Sequence, residues 1–222
     1  MEVALLGGTG DIGEGLALRW AQDTDYTVIV GSRDPEKADA AVETYRDRLS
    51  TAGTDADIGA ASNEAAARDA SVVVLSIPPQ FVVDTVEAVA SELDDGDVVV
   101  SPAVQMNRSK SGFSYDPPGN GSVAERIESA VPDGVAVVGA FQNLAAGALS
   151  DLDNDLSADV VVTGDDPEAK SLVSSMAEEI QGLRALDGGP LANTALVESI
   201  TPLLINLAMN NEGLHDLGVR FE

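Results

Sequence analysis

Apolar positions fall in two rhythms along this chain. Short continuous apolar runs at Val3–Leu6, Thr27–Val30, Ser71–Ile77 and Val98–Val100 are bounded by glycine, proline or polar residues. Such runs read as strands buried on both faces, as a parallel sheet requires. Between them, apolar residues recur at helical spacing. One helix follows Gly13, with Leu16, Ala17 and Leu18 on its apolar face, and another is expected from Pro35 to about Leu49. A third is expected over Gln80–Leu93, where Phe81, Val82, Val86 and Val89 are apolar. A short strand at Ile58–Ala60 and a short helix at Asn63–Arg68 complete the first hundred residues. This alternation predicts an α/β fold with a doubly wound, mostly parallel sheet.

The pattern changes over residues 103–121. The stretch from Gln105 to Gly112 is polar and carries two cations, Arg108 and Lys110, and Pro117-Pro118-Gly119-Asn120-Gly121 is turn chemistry. Long loops in compact domains tend to be functional. A loop over a ligand is expected here, with a plain solvated connection as the alternative. Ser122 with Glu125 forms a capping-box pattern for a helix over Val123–Ala130. Strands at Val135–Phe141 and Asp159–Gly164 follow, then a helix over Pro167–Gln181 capped by Asp165 or Asp166, and an extended Leu183–Leu186. Gly188-Gly189-Pro190 breaks the chain before a last helix, about Asn193–Met209, that is apolar on more than one face. Such a helix is expected to bury two sides and to take part in a subunit interface. Pro202 is placed to kink it.

Gly8, Gly10 and Gly13 stand at G-x-G-x-x-G spacing between the first strand and its helix. That context makes the pattern a dinucleotide-site signal. The first glycine is expected to make the tight turn, the second to let backbone approach a pyrophosphate, and the third to let helix and strand pack closely. Thr9, Gly10, Asp11 and Ile12 then surround the anion at the helix N-terminus. Without a ligand, the same glycines would serve only a strand-to-helix turn. The second strand ends in Ser32 and Arg33, with Lys37 four residues beyond Arg33, where an acid would otherwise bind the ribose 2′-hydroxyl. Hydroxyl and cations suit a 2′-phosphate instead, which predicts NADP over NAD. Arg33 and Lys37 read alternatively as a solvated pair one helical turn apart. Asp34, before Pro35, is expected to cap the next helix. Ile77, Pro78 and Pro79 close the strand over 71–77 at the carboxyl edge of the sheet, where ligands bind in this architecture. The fold expected is therefore Rossmann-type. An NADP-binding domain over 1–140 is followed by a smaller C-terminal α/β extension over 141–222 that ends in the long apolar helix.

Composition adds one unusual feature. Thirty-eight acidic residues against twelve lysines and arginines give a net charge of −26, and only Lys37, Lys110 and Lys170 are lysines. Such a surface repels nucleic acid and anionic lipid. The acids are dispersed rather than gathered in a tail. High ionic strength, with a Debye length of about 3 Å at 1 M salt, removes much of their mutual repulsion. A halophilic, cytoplasmic protein is expected. No 18-residue window is uninterruptedly apolar, and Met1 leads straight into a strand, so neither a membrane span nor a secretory signal is expected. There is no cysteine, which excludes disulfides, thiolate nucleophiles and Cys–metal sites.

Acid–base machinery is not evident. His215 is the only histidine and lies in a polar turn near the C-terminus, where a surface role outweighs a catalytic one. No metal motif, nucleophile elbow or P-loop occurs. Reduction of a ketone or imine needs a proton donor beside the reacting carbon. Hydride passed between two cofactor rings needs chiefly their alignment. No catalytic side chain and no metal are therefore expected.

From end to end the chain resembles archaeal NADPH-dependent reductases of the 5-deazaflavin coenzyme F420, as a haloarchaeal-type member. The residues that carry the resemblance are VALLGGTGDIGEGLALR (3–19), VGSR with Lys37, SIPP (76–79), VVSPAV (99–104), SGFSY (111–115), DGGPL (187–191), VESITPLLIN (197–206) and LGVRF (217–221). The resemblance implies reversible hydride transfer between NADP(H) and coenzyme F420 in a homodimer joined through the C-terminal helix. It implies NADP contacts at Thr9 to Ile12, Ser32, Arg33 and Lys37, with Pro79, Val83, Met106 and Ala146 around the nicotinamide half. Gln142, Asn143, Leu144 and Leu217 would line the deazaflavin side. Gln142 stands where a histidine is expected; it can hydrogen-bond a ring carbonyl but cannot become cationic. The acidic coenzyme tail would fall to Arg108 and Lys110, and less to Arg220. Two other functions compete: reduction of a small imine, as in pyrroline-carboxylate-type reductases, and NADP binding by a redox sensor without turnover.

Overall fold

The computed structural model describes residues 1–119 and 121–222. The first half runs β1 (Glu2–Leu6), α1 (Asp11–Asp23), β2 (Thr27–Ser32), α2 (Pro35–Thr51), β3 (Ile58–Ser62), α3 (Asn63–Arg68), β4 (Val72–Leu75), α4 (Val82–Val89) and β5 (Val98–Ser101). A hairpin of β6 (Met106–Ser109) and β7 (Gly112–Tyr115) precedes α5 (Val123–Glu128) and β8 (Ala136–Gly139). Then come α6 (Ala146–Ser150), β9 (Ala158–Gly164), α7 (Pro167–Glu178), β10 (Leu183–Asp187), α8 (Thr194–Glu198) and α9 (Ile200–Asn210).

Eight strands form one sheet in the order β3-β2-β1-β4-β5-β8-β9-β10. The six strands from β3 to β8 are parallel; β9 runs antiparallel to β8, and β10 parallel to β9. The sheet is thus continuous from the first half of the chain into the second. β1 lies between β2 and β4, with Leu6 opposite Gly31 on one side and Leu75 on the other. Because β1 to β2 winds one way and β4 lies on the other side, the crevice at the end of β1 is the topological switch point where such folds bind ligands. The central strands β4 and β5 are buried throughout, as their unbroken valines require. One core cluster, with Leu16, Trp20, Val42, Val173 and Met176, packs one face; Ala66, Val82, Val86 and Ile127 pack the other. Trp20 meets Phe141 edge to face at 5.6 Å and donates its indole N–H to the Met176 carbonyl.

Several expectations need correction. Residues 106–115 are a hairpin rather than a loop, and Asn120 of the following turn lies outside the described residues. Polar strands show no apolar alternation, yet their backbone groups pair across the hairpin, and the Asn206 carboxamide bonds both Phe113 N–H (2.8 Å) and Phe113 C=O (2.7 Å). The last helix is two, divided at Ser199 within one turn of Pro202, whose missing N–H leaves the Glu198 carbonyl without its helical donor. Within one chain α9 does not bury two sides. Pro202 is its only buried residue, while Leu203 (56%), Leu207 (41%) and Met209 (57%) are exposed, as is Leu196 (69%) on α8. By length and composition alone, Leu191–Asn210 is apolar enough to cross a membrane, despite its interruptions. Asp34 occupies the N-cap of α2 but makes no side-chain capping bond; its own N–H donates to Ser32 Oγ. The Ser122/Glu125 capping box is present, and Asp166 caps α7.

Glu198, fully buried on α8, joins three elements. Its Oε1 accepts from Val123 N–H at the start of α5 (2.8 Å), and its Oε2 from the Tyr115 hydroxyl on β7 (2.9 Å). Burial pushes its carboxyl up to about 7, although both bonds favour the charged form. The folded state therefore holds a proton that the unfolded chain releases near pH 4.5, and stability falls as pH rises from there to about 7. Denaturant titrations of wild type and Glu198→Gln across pH 4–8 should show the wild type losing stability relative to the variant over that window, with a constant difference above it.

Candidate functional site

The sequence of β1 ends in Leu6, and the chain then reverses through consecutive glycines. Gly7, not Gly8, takes the left-handed conformation (φ +75°), and a side chain there would overlap Ile77. Gly8 has ordinary φ and is buried, its N–H donating to Leu5 C=O (2.9 Å). The tight turn thus belongs to the glycine before the motif. The close packing expected of the third glycine is present, and the second leaves open space. A Cβ on Gly10 would meet nothing closer than 3.5 Å, which leaves its backbone open to a ligand. A Cβ on Gly13 would lie 2.6 Å from Gly8 Cα and 2.6 Å from Ser76 Oγ, so α1 rests directly on the turn and on the end of β4. The Ser76 hydroxyl donates to Leu6 C=O (3.1 Å), tying the two strand ends together. Gly10 is the N-cap of α1 with no side-chain cap, leaving the first-turn N–H groups for an anion.

A cavity of about 900 Å³ opens here. Its floor is the glycine turn and the ends of β4, β5 and β8; its roof is α9 with the C-terminal residues. It brings together Gly10, Asp11, Ile12, Ile77, Pro78, Pro79, Met106, Gln142, Asn143, Leu144, Ala146 and Leu217, drawn from five separate stretches of sequence. Among its described lining residues the only ionisable side chains are Asp11 and Asp216; there is no His, Lys, Arg or Tyr. Ser76 and Thr201 supply the hydroxyls, and the rest is apolar wall, proline, small residues and two carboxamides.

Five of the expected residues lie elsewhere. Thr9 is exposed on the turn and Val83 half-buried on α4, neither lining the cavity. Ser32, Arg33 and Lys37 sit at the end of β2 and start of α2. Ser32 is buried, and both cations are exposed and in no ion pair among the described residues. The Arg33 guanidinium lies 5.4 Å from the centre of the Phe81 ring, which holds it at the sheet edge. Phe81 was legible only as an apolar helix position.

Gln142 and Asn143 each commit part of the carboxamide inside the protein. Gln142 Nε2 donates to Ser101 C=O (3.0 Å) and Asn143 Nδ2 to Asp159 C=O (2.6 Å). One N–H of each amide is thus committed inside the protein, the second N–H is not, and Gln142 Oε1 and Asn143 Oδ1 are buried with no partner among the described residues. What directs them inward is Phe141, a bulky buried residue with φ +71°. That conformation costs on the order of 1–3 kcal/mol and persists only under firm packing, here against Trp20. No sequence signal marks it, since Phe141 reads as the end of a strand. Thr201 on α9 donates to Gln142 C=O (2.7 Å), fixing the roof to the floor. Arg108 and Lys110 stand exposed on the hairpin, Arg108 5.6 Å from the Phe113 ring centre. His215 is exposed and does not line the cavity.

Residues 2–105 match the family profile described as NADP oxidoreductase, coenzyme F420-dependent. Over 93% of this chain and 92% of the relative, the sequence is 41% identical to the F420-dependent NADP reductase of Methanocaldococcus jannaschii. The F420-dependent NADP reductase of Methanothermobacter marburgensis is 39% identical over 99% of this chain and 97% of its own. The chain belongs to the family of F420-dependent NADP oxidoreductases. A solved candidate F420-dependent NADP-reductase from Arthrobacter sp. shares the fold over 100% of this chain and 99% of its own, with a TM-score of 0.81 at 23% identity. The pyrroline-5-carboxylate reductase of Coxiella burnetii has a TM-score of 0.57 at 14% identity over 96% of this chain and 81% of its own. That likeness reaches the fold alone and does not favour imine reduction. The glycine turn has no room for added volume where α1 rests on it. Gly13→Ala should lower stability by about 1–3 kcal/mol, measured by denaturant unfolding, because the new methyl group meets backbone on one side.

Proposed function

We propose that the protein transfers a hydride reversibly between NADP(H) and coenzyme F420, one ring resting on the strand ends and the other beneath α9. The observation that carries this reading is a cavity for flat rings whose described walls hold two carboxylates and no basic or phenolic side chain. Such walls orient rings and exclude water, and they lack the His, Lys or Tyr that most often protonates a ketone or imine. When both are bound, the nicotinamide would supply the hydride from C4 and the deazaflavin would take it at C5, with the one accompanying proton exchanged with solvent. The walls would then serve to align the rings rather than to act as acid or base.

Thr9, Gly10, Asp11 and Ile12 would frame the pyrophosphate at the start of α1, where free N–H groups favour an anion. Ser32, Arg33 and Lys37 would hold the 2′-phosphate, the two cations being exposed and unpaired among the described residues. Ile77, Pro78, Pro79, Met106 and Ala146 would surround the nicotinamide, with Val83 behind them on α4. Gln142, Asn143, Leu144 and Leu217 would form the deazaflavin wall. Residues 1–140 would then serve NADP, and 141–222 the second cofactor and the subunit contact. Arg108 and Lys110, the exposed hairpin cations in a chain of charge −26, would receive the acidic coenzyme tail.

The exposed leucines of α8 and α9 favour a homodimer in which a second copy, rather than a bilayer, covers the outer face of the cavity roof. The dispersed acids favour work in a salt-rich cytoplasm, away from nucleic acid and membrane. Leu203→Asp should convert the species seen by light scattering from dimer to monomer; a wild-type monomer in detergent-free buffer overturns the dimer.

The deciding assay is NADPH-dependent bleaching of the deazaflavin band by purified protein in molar KCl, with a flavin as control. Turnover with F420 and none with flavin is expected, with higher activity and melting point than in low salt. Arg33→Ala with Lys37→Ala should raise the NADPH KM by roughly tenfold or more and narrow the preference over NADH, as loss of charge-assisted phosphate contacts predicts. Arg108→Ala with Lys110→Ala should raise the KM for F420 instead. Absence of F420 bleaching would sink the proposal.

A further inference from the structure

The antiparallel reversal between β8 and β9 leaves a gap in the sheet. β8 pairs with β9 only at Val138–Gly164 and Gly139–Thr163, so the first half of β9 has no strand neighbour on that side. The backbone of Asp159 falls in this gap, yet both its groups are satisfied. Its C=O accepts from Asn143 Nδ2 (2.6 Å), and its N–H donates to Val219 C=O (2.8 Å). Two distant pieces of chain, one from the cavity floor and one from the C-terminal tail, thus meet at a single residue.

The Asp159 side chain reinforces the same junction. It is fully buried and held by Arg184 of β10 through two parallel bonds of 2.8 and 2.7 Å. Asp159 Oδ2 also accepts from Phe221 N–H (2.7 Å), and Arg184 Nη2 donates to Phe221 C=O. The Arg184 bonds hold the carboxyl below the usual range. Arg220 bonds Ser157 Oγ (2.9 Å), and Gly218 lies so close to β9 that a Cβ there would come within 2.9 Å of Ala158 Cβ. The tail therefore lies against β9 without becoming a strand of the sheet. Its inner end, Leu217, reaches the cavity wall.

We propose that the pair of buried Asp159 and half-exposed Arg184 is a positioning device for the second cofactor, holding the C-terminal strap so that Leu217 and Asn143 form one rigid wall of its ring pocket. The inference rests on the reading that F420 occupies this side of the cavity. Neither Asp159 nor Arg184 lines the cavity; both act through the strap and through Asn143. The glycine turn and the end of β2, where NADP would bind, are tied to other elements. Loosening the strap should therefore separate the two cofactors kinetically.

The test uses the full-length protein with two kinds of variant. Arg184→Gln removes the charged fork, and Arg184→Lys keeps the charge without the paired geometry. Phe221→Pro removes the N–H that donates to Asp159 and stiffens the exposed tail there, while Asp159 and Arg184 themselves are unchanged, so it serves if the arginine variants fold poorly. Steady-state constants for both cofactors are measured beside hydrogen exchange of residues 214–222. The KM for F420 should rise by roughly five- to tenfold with the KM for NADPH within about twofold, the lysine variant lying between wild type and glutamine. Exchange should quicken in the tail and not in β1 or α1. Both KM values rising together, or a loosened tail with unaltered constants, would overturn the positioning role while leaving the proposed function standing. Wild-type protein that fails to turn over F420 overturns the function and the cofactor assignment together.

Discussion

The organisation of this protein depends on the absence of volume at one place, the contact between the glycine turn after β1, the first residues of α1 and the end of β4. Gly13 brings α1 against Gly8 and Ser76, and Gly7 turns left-handed beneath Ile77. With no side chain between them, the helix N-terminus and two strand ends open on the same crevice. The rest of the site is assembled around that opening. β5 and β8 extend the floor, Phe141 turns the chain into the cavity wall, and α9 returns across the top.

The roof is held by polar contacts rather than by a core. Thr201 bonds Gln142 C=O, Asn206 bonds both backbone groups of Phe113, and Glu198 links α8 to β7 and α5. This follows from where α9 lies: one side faces the cavity and the other faces out, so little of it reaches a packed interior. Few contacts must then fix the helix, and directional hydrogen bonds do so with few side chains. The buried carboxylate of Glu198 is the cost of that arrangement, since burial raises its affinity for a proton.

The parts of the fold that obey a local rule were legible in the sequence. Unbroken valines mark β4 and β5, glycine spacing marks the close seat of α1 at Gly13 though not the left-handed turn at Gly7, and Ser122 with Glu125 marks a capped helix. The cations after β2 could be read because so few exist elsewhere. Features set by distant partners were not legible. The hairpin over 106–115 is polar and takes its support from Asn206, ninety-odd residues away in sequence. The left-handed Phe141 is set by packing against Trp20, and the gap beside β9 follows from a strand direction that no local pattern encodes. That one N–H of Gln142 is committed to Ser101 is visible only once both lie side by side.

The one-sided build of the cavity has a stereochemical consequence. Strand ends and the glycine turn form only the floor, while α9 and the C-terminal strap form only the roof. Under the proposed placement, with the dinucleotide on the floor and the second ring beneath the roof, a nicotinamide would meet its partner with one face only. The two hydrogens at its C4 are already distinguished by the chirality of the ribose, and the site would select between them. The one toward the neighbouring ring would leave in every turnover, and the reverse reaction would return a hydride to the same face.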